Sequence, residues 1–337
     1  MSAPQYVYPS VQTLEQIEQD LLPVLQPDDP IFGFFPIEEV EDDVLRWEQR
    51  DNFRGLQQIR GLNGDMPRVA RIGAKGYLME PGVYGEKQSI DERELTKRRK
   101  LGSFTDRIDV TDLMREIQDD LIGREFNRIR QILWTLATTG TFSVSNADGT
   151  VAQTDIFPLQ TQTSATSWVA KTTATPLADL RQAKLLGRGH SVDFGSKATA
   201  YGNQLTVNNL LSNQNPSDLF GRRGPNGSTF NSLVGDNSIL LENALPQVVA
   251  YDDGYYDDNG VFRLFIPDNT MILFGVRPNN RPIGSYRKTY NANGDRPGSF
   301  MTIKDTKGED VRHITLGRGH NGGPVCWFPS AFVILNV

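Results

Sequence analysis

The stretch DVTDLMREIQDDLIGREFNRIRQILWTLATTG, residues 109–140, decides how the chain is read. Val110, Leu113, Met114, Ile117, Leu121, Phe126, Ile129, Ile132, Leu133 and Leu136 recur at three- and four-residue spacing and form one apolar stripe. Asp109 or Thr111 can cap its start, and Gly140 stands just past its end. The spacing predicts a helix over 109–138, roughly 42 Å long at about 1.5 Å per residue. The opposite face carries Arg115, Glu116, Asp119, Asp120, Arg124, Arg128 and Arg130. Such a helix spans a body as a strut rather than closing a compact bundle.

Upstream, the charge changes sign. Residues 1–50 carry 11 acidic and 2 basic side chains, and residues 51–100 carry 7 acidic and 11 basic ones. Segments of opposite sign either neutralise each other within one chain or pair between copies, where complementary potentials set register. Leu14, Ile17, Leu21 and Leu22 predict a helix with Thr13 as its N-cap, ended by Pro27-Asp28-Asp29-Pro30. Phe32, Phe34 and Phe35 then lie in a proline-bounded arm too short to supply its own core. They are expected on another domain or another chain, and are the first subunit-interface candidates. Residues 51–107 hold strand-like pieces at 69–72, 77–79 and 83–84 between glycines. The segment lacks the apolar content of a private core and reads as a long projecting hairpin. It ends in Asp91-Glu92-Arg93-Glu94 and Lys97-Arg98-Arg99-Lys100. Arg93, Lys97, Arg98, Arg99 and Lys100 are the second interface candidates, with solvated surface as the plainer reading. No aromatic lies between Gly85 and Leu101, as a nucleic-acid patch would want.

Downstream, Thr175, Pro176 and Gly187 bound a shorter helix over 176–186. Beyond residue 200 the chain holds 17 of its 21 asparagines. Short strands are predicted at 247–251, 261–266, 271–274 and 331–337, with Asp258-Asn259-Gly260 as a hairpin signal between the first two. A second α+β domain is expected, with the terminal strand returning to the first.

Chemistry is sparse. The chain has 337 residues and a net charge of −6, which argues against a dedicated duplex-DNA reader with its basic face. No apolar run approaches the roughly 18 residues of a membrane helix, and no secretory signal follows Met1, so no membrane partner is expected. The single Cys326 excludes a disulfide framework and reads as a buried, inert thiol. The 25 arginines against 10 lysines suit either interfaces or a codon preference. Gly317-Arg318-Gly319-His320-Asn321-Gly322 matches G-x-G-x-x-G, but Gly323-Pro324 follows where a helix should open, so a glycine loop is expected. Residues 251–260 fit no register of a calcium loop. His190, His313 and His320 have no metal-ligand spacing. No catalytic residue, cofactor or metal site is nominated, and the chain is not read as an enzyme.

An ordered set of pieces is left. It runs through Pro81-Gly82-Val83-Tyr84-Gly85-Glu86, Glu94-Leu95, Arg98-Arg99, Leu101-Gly102 and Trp134-Thr135-Leu136-Ala137-Thr138-Thr139-Gly140. It continues with Val249-Ala250-Tyr251-Asp252, Tyr255, Phe265-Ile266-Pro267-Asp268-Asn269, Pro324-Val325 and Pro329-Ser330-Ala331-Phe332-Val333. From about residue 45 onward this set resembles the lambda-type major capsid protein family of tailed bacteriophages, the capsid protein E family. The resemblance implies an α+β tailed-phage major capsid fold, the Johnson fold. Residues 1–50 would be an N-terminal arm, 51–107 an extended E-loop, 108–176 a peripheral domain with spine helix 109–138, 177–310 an axial domain, and 311–337 the return to the peripheral domain. It further implies a coat protein that self-assembles as pentamers and hexamers into the icosahedral head shell. That shell would form in the host cytoplasm, become part of the virion and enclose double-stranded DNA without reading its sequence. Portal and scaffolding proteins, and a decoration or cement protein, would be the partners. The other readings are an encapsulin-like compartment shell on the same fold, and a soluble two-domain enzyme centred on His190 and His320. Truncation of residues 1–40 is expected to stop assembly and leave a folded body.

Overall fold

Proline and glycine set many of the element ends. The structure is a computed structural model that describes residues 11–50, 56–57, 64, 66, 73–91, 93–94, 109–145, 151–190, 192–213, 245–257, 259–291, 297–306 and 313–337. Helix α1 (Val11–Leu25) holds Pro23 in its last turn, and the single turn α2 (Ile31–Phe34) follows Pro30. Thr13 lies inside α1, so that helix begins earlier than expected. Strands β1 (Ile37–Glu39), β2 (Leu45–Arg50), β3 (Ala74–Met79) and β4 (Gly82–Ile90) come next. The apolar stripe forms one 30-residue helix, α3 (Val110–Thr139), about 45 Å long. Gly140 ends it at φ 73°, in the left-handed region, and its N–H returns to the Leu136 carbonyl at 2.8 Å. Strands β5 (Thr141–Ser145), β6 (Val151–Ile156) and β7 (Gln160–Thr163) lead to α4 (Pro176–Leu186), β8 (Thr199–Gly202) and α5 (Gln204–Leu211). The remaining strands are β9 (Gln247–Ala250), β10 (Gly254–Tyr256), β11 (Phe262–Leu264), β12 (Thr270–Phe274), β13 (Gly284–Thr289), β14 (Ser299–Asp305), β15 (Ile314–Cys326) and β16 (Phe332–Asn336).

Two five-stranded sheets share α3, which packs on β4 and β15 of one and on β12 and β16 of the other. The first runs β1-β13-β15-β14, with β4 also on β15. The 13-residue β15 is antiparallel to all three of its partners. The second runs β7-β16-β12-β8-β9. Its central strands serve two cores by their alternation. Ile272, Phe274 and Phe332 join the core under the C-terminal half of α3, with Leu133, Trp134 and Phe35. Met271, Leu273, Val333 and Leu335 face the other way, onto α4, α5 and Trp168. A third core places Leu14, Ile17 and Leu21 of α1 against Leu113, Met114 and Phe126 of α3 and Leu316 of β15.

Strands β13 and β14, within the 177–310 segment, pair with the two halves of β15 and so lie in the first sheet. Strand β16 sits between β7, from the 108–176 segment, and β12, and its alternating side chains fill both cores. Within residues 51–107 the two described strands part: β3 pairs with β2, whereas β4 joins the body sheet. The expected piece at 69–72 lies outside the described residues. The Asn259-Gly260 turn, with Gly260 at φ 74°, joins β10 to β11, while β9 runs parallel to β8.

The expected glycine loop at 317–322 is the middle of β15. Its missing side chains are a packing requirement. A Cβ on Gly319 would lie 2.6 Å from the Tyr84 carbonyl oxygen and 2.7 Å from the Phe300 ring. A Cβ on Gly317 would lie 2.5 Å from the Thr302 hydroxyl. Bare backbone thus lets β4 and β14 close on both edges of β15.

Two alanine substitutions should therefore move stability in opposite directions. Gly319→Ala should lower the denaturation midpoint by the equivalent of about 1–3 kcal/mol, as overpacking does. Gly123 of α3 has nothing within 4 Å of its Cβ position. Gly123→Ala should raise stability by about 0.5–1 kcal/mol through helix propensity. Chemical denaturation of the unassembled chain reads both, and a neutral Gly319→Ala would remove the close-packing argument.

Candidate functional site

The amphipathic spacing of α3 has polar exceptions. Glu125 falls between Ile122 and Ile129 on the buried face and is 9% exposed. A carboxylate taken out of water needs matched charge and hydrogen bonds. Lys288 Nζ, from β13, donates to Glu125 at 2.5 Å, and Ser299 Oγ, from β14, donates at 2.6 Å. Arg318 of β15 donates through Nε to the same carboxylate, and through Nη1 to Glu18 of α1 at 2.7 Å. His320 lies two residues along β15, with Nε2 2.9 Å from the Tyr286 hydroxyl and Nδ1 3.7 Å from Glu125. One cluster therefore ties the N-terminal helix, the long helix and three strands together.

The electrostatics follow from burial. Burial alone would push the Glu125 carboxyl up, but Lys288 and Arg318 outweigh it and hold it well below the usual carboxylate range. Burial pulls His320 down to about 4, with Lys288 and Arg318 opposing the help of Glu125. His320 is thus neutral at physiological pH.

A second cluster lies one helical turn further on. Asp29, between α1 and α2, is 6% exposed. It accepts from Arg130 Nε at 2.6 Å, from the Tyr251 hydroxyl, and from the Ile31 N–H at 2.9 Å. Arg130 also pairs with Asp253 and lies 4.7 Å over the Phe265 ring. A third contact joins Glu38 of β1 to Arg287 of β13 at 3.2 Å. Three acidic residues of the arm thus meet three body arginines.

The arm aromatics pack on the body of their own chain, Phe35 fully buried and Phe32 and Phe34 partly so. This is the first of the two destinations expected for them, another domain rather than another chain. Phe35 is fully buried, with its ring edge-on to Phe332 at 6.2 Å. Phe34 stacks on Phe274 at 4.2 Å, and Phe32 meets Phe126 at 6.5 Å. The body of the same chain supplies the surface these rings require. Removing residues 1–40 would take Leu14, Asp29, Ile31 and Phe35 out of that interior, so the truncation would unfold the body as well as stop assembly. Arg93 is exposed, while Lys97, Arg98, Arg99 and Lys100 lie outside the described residues. His190 is exposed and His320 is sealed in the Glu125 cluster. Cys326 is buried, which pushes its thiol up to about 12. Among the described residues no group of His, Cys, Asp and Glu could hold a metal ion.

Neither ionic cluster was nominated from the sequence. The signal was present: Glu125 sits at stripe spacing from Leu121 and Ile129, and Arg130 stands four residues from both Phe126 and Trp134.

Comparison with known proteins places the fold. A family model described as phage major capsid protein E matches residues 32–314. No curated protein matches the chain. A solved structure described as a capsid protein of an E. coli CFT073 prophage aligns at a TM-score of 0.57 and 15% identity, covering 95% of this chain and 98% of that one. A phage-related protein from Bordetella bronchiseptica RB50 aligns at 0.54 and 11% identity, covering 93% and 96%. The capsid asymmetric unit of cyanophage A-1(L) aligns at 0.50 and 13% identity, covering 91% and 92%. The fold is the Johnson fold of tailed-phage capsids.

The Glu125 cluster makes two predictions. Glu125→Gln leaves Lys288 and Arg318 buried beside a neutral partner and should cost about 3–5 kcal/mol in denaturation experiments. The second concerns acid. An unfolded histidine titrates near 6.5 and folded His320 near 4, so unfolding takes up a proton between those values. Stability should fall as pH drops through that window. Glu125 adds its loss below about 4.5, where the unfolded carboxyl takes up a proton that the folded one does not, until the folded carboxyl itself protonates. His320→Gln should flatten the upper part of the curve. A melting temperature as pH-dependent in the variant as in the wild type would refute the His320 assignment.

Proposed function

This chain belongs to the phage major capsid protein E family, and from that premise we propose how its copies meet. It is a structural protein of the phage head shell and a virion component, not an enzyme. Shells of this kind are built from many copies. We propose that the copies form pentamers and hexamers, assemble in the host cytoplasm and enclose double-stranded DNA without sequence-specific binding. Scaffolding, portal and decoration proteins are the proposed partners. No helix among the described residues is long and apolar enough to cross a membrane.

The observation that carries this reading is the family match over residues 32–314. Surface chemistry supports it. The two-stranded sheets expose large apolar groups that their own chain does not cover. Leu78 of β3 is 66% exposed and Ile156 of β6 80%, and both line a small cleft beside Trp47 and Tyr77. On the β10–β11 hairpin, Tyr256 is 73% exposed. Exposed apolar patches of this kind suit the core of a subunit contact. In this proposal residues 51–107 remain the reaching segment, with β4 as its anchor. Arg93, Lys97, Arg98, Arg99 and Lys100 supply polar rim contacts. These replace the arm aromatics as interface candidates.

Negative-stain electron microscopy of the chain, expressed with and without its neighbouring genes, tests the proposal. Closed shells tens of nanometres across, with DNA in the phage context, are expected. A uniform small oligomer under every condition would overturn it. Leu78→Glu with Ile156→Glu should raise the concentration needed for assembly by about tenfold or more, with circular dichroism unchanged. Arg98→Glu with Arg99→Glu should weaken assembly in a salt-sensitive way.

A further inference from the structure

Four cations are buried among the described residues: Arg130, Arg277, Lys288 and Arg318, each 6–8% exposed. Three of them have carboxylates at 2.5–2.7 Å. Arg277 has none among the described residues. Its guanidinium carbon lies 3.1 Å from the centroid of the Phe328 ring, and Nη1 donates to the Pro282 carbonyl at 2.9 Å. The ring and one carbonyl hold the fork in place without neutralising it. The other three buried cations are matched with anions; for Arg277 none of the described residues supplies one.

Arg277 stands in the wall of a cleft of about 660 Å³. The cleft lies between the turn after α4, the segment 192–197 and the turn after β12. Arg188 and Lys197, both exposed, line it as well. The one carboxylate in its lining is Asp193, whose Oδ1 already accepts the Gly195 N–H at 2.8 Å. Three cations thus face one partly engaged acid. Asn279 and Asn280 also line the cleft and adopt left-handed backbone (φ 64° and 49°), fixing a tight turn beside Arg277. A planar fork with one bond committed, flanked by two exposed cations, suits a tetrahedral oxyanion.

We propose that this cleft is an oxyanion site of the phosphate class, with Arg277 as its fixed donor and Arg188 and Lys197 as its closing cations. The phosphate group can come from free inorganic phosphate or from the phosphodiester backbone of a nucleic acid. The site stands on the geometry of a single chain and does not depend on the shell reading. Burial, then the nearby Arg281 charge, pulls the Arg277 guanidinium down to about 10. A bound anion would relieve that strain on the charged form.

The test is titration calorimetry of the purified full chain with inorganic phosphate, and separately with a short single-stranded oligonucleotide, against chloride at equal ionic strength. Saturable binding is expected for at least one of the two. It should weaken about tenfold or more in Arg277→Gln and in the doubly substituted Arg188→Gln, Lys197→Gln chain. The double variant changes only exposed residues, so it keeps the test meaningful if Arg277→Gln fails to fold. Binding of phosphate supports the site with the free ion as its source. Binding of the oligonucleotide alone, lost in the double variant, supports the phosphodiester source. Equal binding by wild type and double variant, or none above chloride, overturns the proposal. So does a double variant that loses assembly although the wild type binds neither probe; that result would assign the cleft to an acidic segment of a second copy.

Discussion

A carboxylate buried in the middle of a long helix must be neutralised where it stands, and most of the architecture follows from how Glu125 achieves this. Lys288 and Arg318 come from adjacent strands of one sheet, so both reach Glu125 only if that sheet lies on α3 in one register. Arg318 carries a second donor direction, and Glu18 of α1 fills it. Two cations and two carboxylates then balance. Burial first, and then the repulsion of Lys288 and Arg318, keeps His320 neutral beside them. Each partner is expensive to bury alone, so the elements that carry them fold together or not at all.

The same logic changes what the N-terminal arm is. Its acidity suggests a strap for a neighbour. Glu18, Asp29 and Glu38 instead meet Arg318, Arg130 and Arg287 of their own chain, at successive points along the arm. Phe34 and Phe35 fill gaps above Phe274 and Phe332 between those points. In residues 11–39 the arm is therefore an integral part of the body interior.

The sequence was legible where local chemistry decides the outcome. A 3.6-residue period carried over 28 residues has one structural solution, so α3 was visible almost to its ends. Pro176 and Gly187 bounded α4, and Asn259-Gly260 marked a hairpin turn. Legibility failed where partners are distant. Four glycines erase the side-chain alternation by which a strand is recognised, so the middle of β15 read as a loop, although Gly317 and Gly319 are what the approach of β4 and β14 requires. The need of Phe32, Phe34 and Phe35 for burial was visible, but its destination, more than 200 residues away for two of them, was not. Glu125 was missed because an apolar stripe is counted by its apolar members. A charge at stripe spacing looks like an interruption until its counter-ions arrive from residues 288 and 318.

These constraints divide the subunit into a part that cannot deform and parts that can. Rearranging α3, β13, β15 and the arm would separate buried charges, so that body must act as a rigid block. The hairpins β2–β3 and β10–β11 are two-stranded, with large apolar groups on their outer faces. Isolated two-stranded hairpins are marginal in water and gain stability from whatever covers them. A closed shell asks one sequence to occupy several non-identical surroundings. On the proposed assembly, the two-stranded hairpins would meet that demand, since their outer apolar groups are left for other copies to cover, while the ionic interior keeps every copy the same.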